Sequence, residues 1–430
     1  MNSRRKTCAS RLIYPIAFFF LGLCPLVTPL KVEATYQFDF IPSIYIRETY
    51  DDNIELVGTD EISDSITTVS PAIRLDILSD KNNLSLSYAP SFVWYRDETR
   101  LNTTRHFGNI DFNQDLSEHF RFELTDRIVI SDDPLQDFGD EAGQRSTRAR
   151  YWRNTGQTSI RYLFGRQDDF SIGYGNNYQA NDDPTFFDGT VQTPYLALNY
   201  WFNIENGSSF DYEYTDSNLS SALDVRKFSG HRVGARYIRR FTPHASGYFD
   251  YHFTLRDFDM FREDYNVHEI SIGYDQALAA DFSYTLTIGY FLQDNDVSDD
   301  SGGLVYDVLL NKRFERASFT FGGNGSWSEQ YLDPTRTEFV QFWGAYANFE
   351  YQILDSLSCY LAGNYRFNEG QDDRIWKIWR GNVGLSWSFL RWFTAVLDYS
   401  YAERLDDIPT DSYTDNRVML TFSASKLYKW

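Results

Sequence analysis

Hydrophobic and polar positions alternate at period two along most of this chain. From Asp281 to Gln293, one face carries Phe282, Tyr284, Leu286, Ile288, Tyr290 and Leu292, and the other Ser283, Thr285, Thr287, Gly289 and Phe291. Leu84 to Tyr95 repeats the pattern, with Leu84, Leu86, Tyr88, Phe92 and Trp94 set against Ser85, Ser87, Ala89 and Ser91. Phe170 to Asn181 sets Phe170, Ile172, Tyr174 and Tyr178 against Ser171, Gly173, Gly175, Asn177 and Gln179. This is the period of an extended strand whose two faces meet different surroundings. Beyond the N-terminal segment no run of about 18 apolar residues occurs, so no transmembrane helix is predicted. A polar face of Gly, Ser, Asn and Gln suits a water-filled interior better than an outer surface.

The connections alternate as well. Short turns such as Leu78 to Asn83, Leu116 to His119, Phe241 to His244 and Leu354 to Leu357 are interleaved with longer acidic segments. The latter are Asp51 to Asp64, Asp132 to Arg145, Asn181 to Gly189, Asp294 to Gly302, Asn368 to Arg374 and Asp406 to Asp415. Short turns on one side and long loops on the other describe a transmembrane antiparallel up-and-down β-barrel, an all-β fold. In lipid every backbone donor and acceptor needs a partner within the protein, and closing the sheet removes its edges. The alternation predicts about 20 strands, with 18 the nearest alternative, in a single barrel over residues 35–430.

Composition sharpens this picture. Aromatic residues make up 18% of the chain, with 31 Tyr and 35 Phe, yet the mean hydropathy is −0.47. Rings near strand ends, including Trp94, Trp152, Trp201, Trp343, Trp379, Trp387, Trp392 and Trp430, read as interfacial girdles. A minority reading makes Trp376, Trp379 and Tyr365 a sugar-stacking surface at the outer rim. Residues 1–34 read as a signal peptide, with Arg4, Arg5 and Lys6 ahead of an apolar stretch and Val32-Glu33-Ala34 at the cleavage site. Removing its five basic residues and one acid takes the net charge from −21 to about −25, which excludes nucleic acid as a partner. Cys8 and Cys24 leave with it, so Cys359 alone remains and no intramolecular disulfide forms.

Along the last strand, Val418, Leu420, Phe422, Ala424, Lys426, Tyr428 and Trp430 share one face. This ending resembles the terminal strand of bacterial outer-membrane barrels, which implies recognition by the barrel-assembly machinery through Phe422, Tyr428 and Trp430. Near the start, Arg47-Glu48-Thr49-Tyr50-Asp51-Asp52-Asn53-Ile54 is followed by Thr67-Thr68-Val69-Ser70-Pro71. These two segments resemble the β-barrel porin 2 family of bacterial outer-membrane β-barrel proteins. The resemblance implies a porin-like barrel, and some relatives are associated with exopolysaccharide and protein-sorting systems. Shared family does not fix the cargo, because function resides in the lumen and loops.

Two constellations carry candidate chemistry. If apolar residues face lipid, alternation sends Arg74, Arg121, Arg127, Arg153, Arg161, Arg232, Arg236, Arg240 and Arg380 into the lumen. Inward arginines select anions and, set against acids across the pore, create a transverse field. Pairing with inward acids such as Glu123, Asp211, Glu213, Asp250 and Glu269 is the structural alternative. The acidic loops carry Asp51, Asp52, Glu55, Asp60, Glu61 and Asp64, then Asp132, Asp133, Asp137, Asp140 and Glu141, then Asp406, Asp407, Asp411 and Asp415. Solvated loop charge is the simpler reading, and divalent cations bridging to lipopolysaccharide the sharper one. Asp294, Asp296 and Asp300 have the spacing of a calcium loop but lack its Gly and Glu, so no metal site is assigned.

The six histidines show no metal-binding spacing, no Gly-x-Ser-x-Gly occurs, and no catalytic residue or cofactor is predicted. The sequence thus points to an outer-membrane, porin-like channel passing small hydrophilic solutes through an arginine-lined lumen. Its surroundings would be outer-membrane lipids and lipopolysaccharide. The alternative is a barrel component of exopolysaccharide export or of surface-protein sorting and anchoring, with a plugged lumen for which Asp132 to Arg145 is the strongest candidate segment. Nothing in the sequence marks an oligomer interface.

Overall fold

The alternating segments form twenty long antiparallel strands, each paired with its chain neighbours, and the sheet closes on itself. The first five are β1 (Gln37–Asp51), β2 (Asp64–Leu78), β3 (Asn82–Tyr95), β4 (Thr103–Asp115) and β5 (Phe120–Ser131). Next come β6 (Tyr151–Leu163), β7 (Asp169–Asn181), β8 (Asp188–Trp201), β9 (Asn206–Ser220) and β10 (Val225–Thr242). Then follow β11 (Ala245–Phe258), β12 (Tyr265–Ala279), β13 (Phe282–Asn295), β14 (Ser301–Arg313) and β15 (Ala317–Glu329). The circuit ends with β16 (Phe339–Leu354), β17 (Leu357–Gly370), β18 (Ile375–Leu390), β19 (Phe393–Asp406), β20 (Tyr413–Ser425) and a two-residue β21 (Tyr428–Lys429). The structure, a computed structural model, describes residues 36–133, 135, 148–222, 225–259, 263–329, 339–370 and 373–430. The expected signal and Asp137, Asp140, Glu141 and Arg145 lie outside the described residues.

Closure is made by the two ends of the chain. On one side β1 pairs with β2 from Gln37↔Leu78 to Asp51↔Asp64; on the other it pairs with β20 from Ser43↔Ser425 to Asp51↔Arg417. After Lys426 and Leu427 the chain rejoins β1 at Phe40↔Tyr428. Trp430 exchanges both backbone hydrogen bonds with Phe38, at 3.0 and 3.1 Å. Every strand therefore has two neighbours, and the twenty-strand expectation holds.

Register fixes which face is which. Leu286 sits opposite Tyr274 and Val308 and is 44% exposed, whereas Thr287 turns inward and its Oγ1 lies 2.6 Å from the Tyr248 hydroxyl. Around the wall Ile272, Ile288, Leu361, Val383, Leu385 and Leu397 are likewise exposed on the outside. So much exposed aliphatic surface is a lipid-facing belt. Aromatic rings bound it. At the turn end Phe120 packs on Tyr162 (4.9 Å between ring centres) and Tyr200 on Phe202 (5.2 Å); at the loop end Trp152 packs on Tyr178 (4.9 Å). Among the described residues no helix is long and apolar enough to cross a membrane; the crossings are strands.

Inside, close strand approach is managed by tyrosines lying over glycines. A Cβ at Gly273 would stand 2.1 Å from the Tyr248 ring on the neighbouring strand, so the ring occupies the space a side chain would take. The proposed sugar-stacking surface does not form. Tyr365 and Trp379 pack at 4.1 Å on the outer face, while Trp376 is fully buried on the inner one.

The facing assignment makes a direct prediction. Leu286→Arg places a guanidinium in lipid and is expected to cost on the order of 2–4 kcal/mol, while Thr287→Arg, pointing into the lumen, costs less. Urea unfolding of the refolded barrel in lipid vesicles measures both, and equal losses would contradict the register.

Candidate functional site

The loop end of the barrel is filled from within. Asp51 at the end of β1, Arg105 on β4, and Arg417 and Asp415 on β20 all point inward by register. The segment after β5 adds Asp132 and Asp133, and Arg148 precedes β6. Arg105 Nε meets Asp132 at 2.6 Å, while Arg417 meets Asp133 at 3.2 Å, Asp51 at 3.1 Å and Asp415 at 2.8 Å. Arg148 lies 3.7 Å from Asp51, donates to the Tyr95 hydroxyl at 3.0 Å, and its Nε donates to the Ile54 carbonyl. Burial alone would raise the Asp133 pKa, but Arg417, Arg148 and Arg105 together hold it well below the usual carboxylate range. These acids are therefore lattice members, and the reading of solvated loop charge fails for Asp51, Asp64, Asp133, Asp406 and Asp415, all buried.

The first long loop supplies an apolar lid to the same mouth. Asn53 donates through its side chain to the carbonyls of Val57 and Thr414, at 2.7 and 2.8 Å, and its backbone N–H donates to Asp51. Asp52 accepts both the backbone and the side-chain N–H groups of Asn416. Thus anchored, the loop turns Ile54 into a cluster with Ile66, Val93 and Tyr95, and Leu56 into another with Ala402 and Tyr413. Leu135 packs against the second cluster, so the first described residues after β5 also face inward. Between β7 and β8, Phe187 is fully buried beneath the Arg226 guanidinium, 4.4 Å from its ring.

A hairpin contributes the largest inward element. β15 pairs with β14 only from Arg313↔Ser318 to Tyr306↔Gly325, yet its pairing with β16 continues to Glu329↔Phe339. Beyond Gly325 the end of β15 parts from β14, while β16 stays paired with β17 as far as Val340↔Gly370, and the hairpin end packs against the inner faces of β11 to β13. Arg256 grips Glu329 with two hydrogen bonds of 2.7 and 2.9 Å, Tyr265 adds a third at 2.7 Å, and Trp327 Nε1 donates to Glu269 at 3.1 Å. Phe339 fills the space among Tyr265, Phe291 and Trp327. Sequence alternation alone pointed to one inward segment; the described residues show four.

All nine predicted arginines turn inward. Four are held by acids. Arg74 meets Asp76 at 2.9 Å, Arg121 meets Asp115 at 2.7 Å, Arg161 meets Glu123 at 3.3 Å, and Arg236 grips Asp250 with bonds of 2.5 and 2.7 Å. Arg153 lies over Tyr151 and Arg240 over Trp201, 3.5 Å from the ring centre. Arg127 and Arg380 also point into the lumen. Arg232, opposite Glu213 and Thr254, is exposed to the interior and forms no ion pair among the described residues.

The sequence reading missed the buried arginines Arg105, Arg226, Arg256, Arg366, Arg404 and Arg417. The same alternation that turned the other nine inward applies to them, so the signal was present. Phe422, Tyr428 and Trp430 stand on the outer face as expected, exposed at 50, 40 and 68%.

The acids of the calcium-like spacing do not converge. Asp294 faces outward, and Asp300 accepts the backbone N–H of Asn295. Among the described residues, ligand atoms of three acids come within 4.8 Å of one another only at Asp51, Asp52 and Asp415. There Arg417 already bridges Asp51 and Asp415, and Asn416 occupies both Asp52 oxygens, so this set belongs to the ion lattice.

No protein-family model matches this chain, and no curated protein does either. Solved structures are similar in fold. The alcaligin outer-membrane receptor FauA of Bordetella pertussis has a TM-score of 0.51 at 11% identity, over 90% of this chain and 76% of that one. The siderophore receptor PirA of Pseudomonas aeruginosa scores 0.49 at 10% identity, covering 89% of this chain and 80% of PirA. The outer-membrane channel DcaP of Acinetobacter baumannii scores 0.40 at 13% identity, covering 92% and 98%. At 11% identity the likeness to FauA is one of fold alone. A closed barrel with a lipid-facing belt between aromatic girdles resides in a bacterial outer membrane.

The lattice at the mouth is testable through Asp133. Asp133→Asn leaves three guanidiniums with less negative charge among them and is expected to destabilise by about 3–5 kcal/mol. Because the folded pKa lies below the unfolded value of about 4, the Asp133 contribution is present at neutral pH. It is lost as pH falls through the folded value. Urea unfolding of both proteins should show a stability gap that is constant from pH 7 to about 5 and begins to narrow as pH falls below about 4.

Proposed function

We propose that this barrel is a porin-like channel for small hydrophilic solutes, restricted at its outer mouth. One observation carries the reading. Below the filled mouth the inner wall is lined by Ser, Thr, Asn, Gly and charged side chains, among them Arg232, Arg236, His252, Ser271, Thr285 and Asn364. Polar side chains with unused hydrogen-bonding capacity line a passage for water and solutes rather than a dry core. Arg232, Arg236 and Arg240 form a ladder up β10; the inward acids Asp275 and Asp307 lie two and four strands away on β12 and β14, and Asp398 of β19, nine strands round, faces the ladder from the far side of the lumen. This arrangement gives a transverse field in which anions favour the β10 side.

The inward hairpin and loops also support a second reading, in which the barrel serves exopolysaccharide export or anchors sorted proteins and passes nothing by itself. Assembly by the barrel machinery through Phe422, Tyr428 and Trp430, insertion beside lipopolysaccharide, and removal of residues 1–34 belong to either reading.

Single-channel recording on the refolded barrel in a planar bilayer separates them. A steady conductance with anion preference that falls in Arg232→Ala/Arg236→Ala is expected for the channel. Glu329→Ala, which releases the hairpin from Arg256 and Tyr265, should raise the conductance or its open time. A correctly folded barrel with no conductance in either form would remove the channel reading and favour the export or anchoring role.

A further inference from the structure

One sector of the lipid-facing belt is chemically unlike the rest. Between the turn-end girdle of Phe120 and Tyr162 and the loop-end girdle of Trp152 and Tyr178, the outward positions of β5 to β8 include Asp126, Asn154, Gly156, Thr158, Asn176 and Gln192. Elsewhere the belt is aliphatic and aromatic, as in Leu286, Ile288, Tyr290 and Leu292 on β13 or Val383 and Leu385 on β18. The polar positions are contiguous, since Asp126 sits opposite Gly156, Gly156 opposite Asn176, and Asn176 opposite Gln192. Asn154 donates to Asp126. The side chains of Asn176 and Gln192 make no hydrogen bond among the described residues.

Acyl chains offer an amide nothing, and polar groups at membrane depth are costly unless another protein surface satisfies them. Beside the patch the wall is concave. A groove of about 500 Å³ is lined by outward Phe122, Ile160, Ile172, Tyr174, Leu196 and Tyr212. Gly156 carries no side chain at the centre of the patch, and small residues at such points let two walls approach closely. Asn154 spends its amide hydrogens on Asp126 and the Arg127 carbonyl, but Asn176 and Gln192 each offer a donor and an acceptor, so the face is complementary to a copy of itself.

We propose that the outer face of β5 to β8 is the contact through which this barrel associates with a second copy of the same chain in the membrane. The paired amides and the groove then lie in a dry seam between barrels, and the aliphatic remainder of the belt meets lipid.

The test uses the full-length barrel in mild detergent and in vesicles. Gly156→Leu adds an apolar side chain directed at lipid. A Cβ there meets the Asp126 carboxylate at an ordinary 3.7 Å, so the isolated barrel should tolerate it. Light scattering should give an integral multiple of the chain mass for the wild type and a single chain mass for Gly156→Leu, with heat-modifiable gel mobility retained. In a Cys359→Ser background, Gln192→Cys should be cross-linked to a second copy by a short bismaleimide, whereas Leu385→Cys should not. A wild type that stays monomeric at all concentrations would overturn the proposal. So would cross-linking of Gln192→Cys in native membranes to a different polypeptide, or cross-linking equally efficient at position 385.

Discussion

Everything in this structure follows from the need to pair backbone hydrogen-bonding groups where there is no water. A strand exposed to lipid on one face gains from burying Leu, Ile, Phe and Tyr in the acyl region, but its N–H and C=O groups gain nothing from lipid. The sheet therefore closes on itself, parting at the loop end of β14 and β15. β1 is held by β2 on one side and by β20 and β21 on the other, and Trp430 completes its hydrogen bonds with Phe38. Once closure is imposed, side-chain direction is no longer negotiable. A residue faces lipid or lumen according to its parity, and the chemistry of each face follows.

Within that frame the interior divides by height. The turn-end half of the lumen carries separated ion pairs such as Arg121 with Asp115 and Arg161 with Glu123, both partly exposed to water and of modest energetic weight. At the loop end the charges are buried together, and each guanidinium serves several acids. Arg417 alone touches Asp51, Asp133 and Asp415. Removing one member there strands the others, which makes the mouth a cooperative unit in a way the lower wall is not. The hairpin of β15 and β16 joins the same logic through Arg256 and Glu329, with aromatic packing by Phe339 adding shape.

The barrel, its strand number and the side taken by most strand residues were legible because period two survives in a single sequence, as at Asp281 to Gln293, although Trp201, expected in the girdle, faces the lumen under Arg240. The inward direction of Arg232, Arg236 and Arg240 was legible for the same reason. The filled mouth was not. Ile54 and Leu56 occur in an acidic loop, where composition suggests solvent, and their burial depends on Asn53 reaching Thr414 across the seam. The departure of β15 from β14 beyond Gly325 leaves the alternation in sequence intact while reversing what each face meets. Parity locates a side chain on the wall, but it does not say when the wall itself bends inward.

The closing seam also sets the order of events as the protein forms. Asp52 and Asn416, hydrogen-bonded to each other, are 364 positions apart in the chain, and Arg417 meets Asp51 across the same gap. All the other strand pairings join segments adjacent in sequence. Contacts of such long range bear the largest loop-closure cost and form late. The ion lattice at the mouth, which needs β1, β4 and β20 together, therefore exists only in the finished barrel. It acts as a latch set last, so that the chain becomes restricted at its mouth at the moment it ceases to have ends.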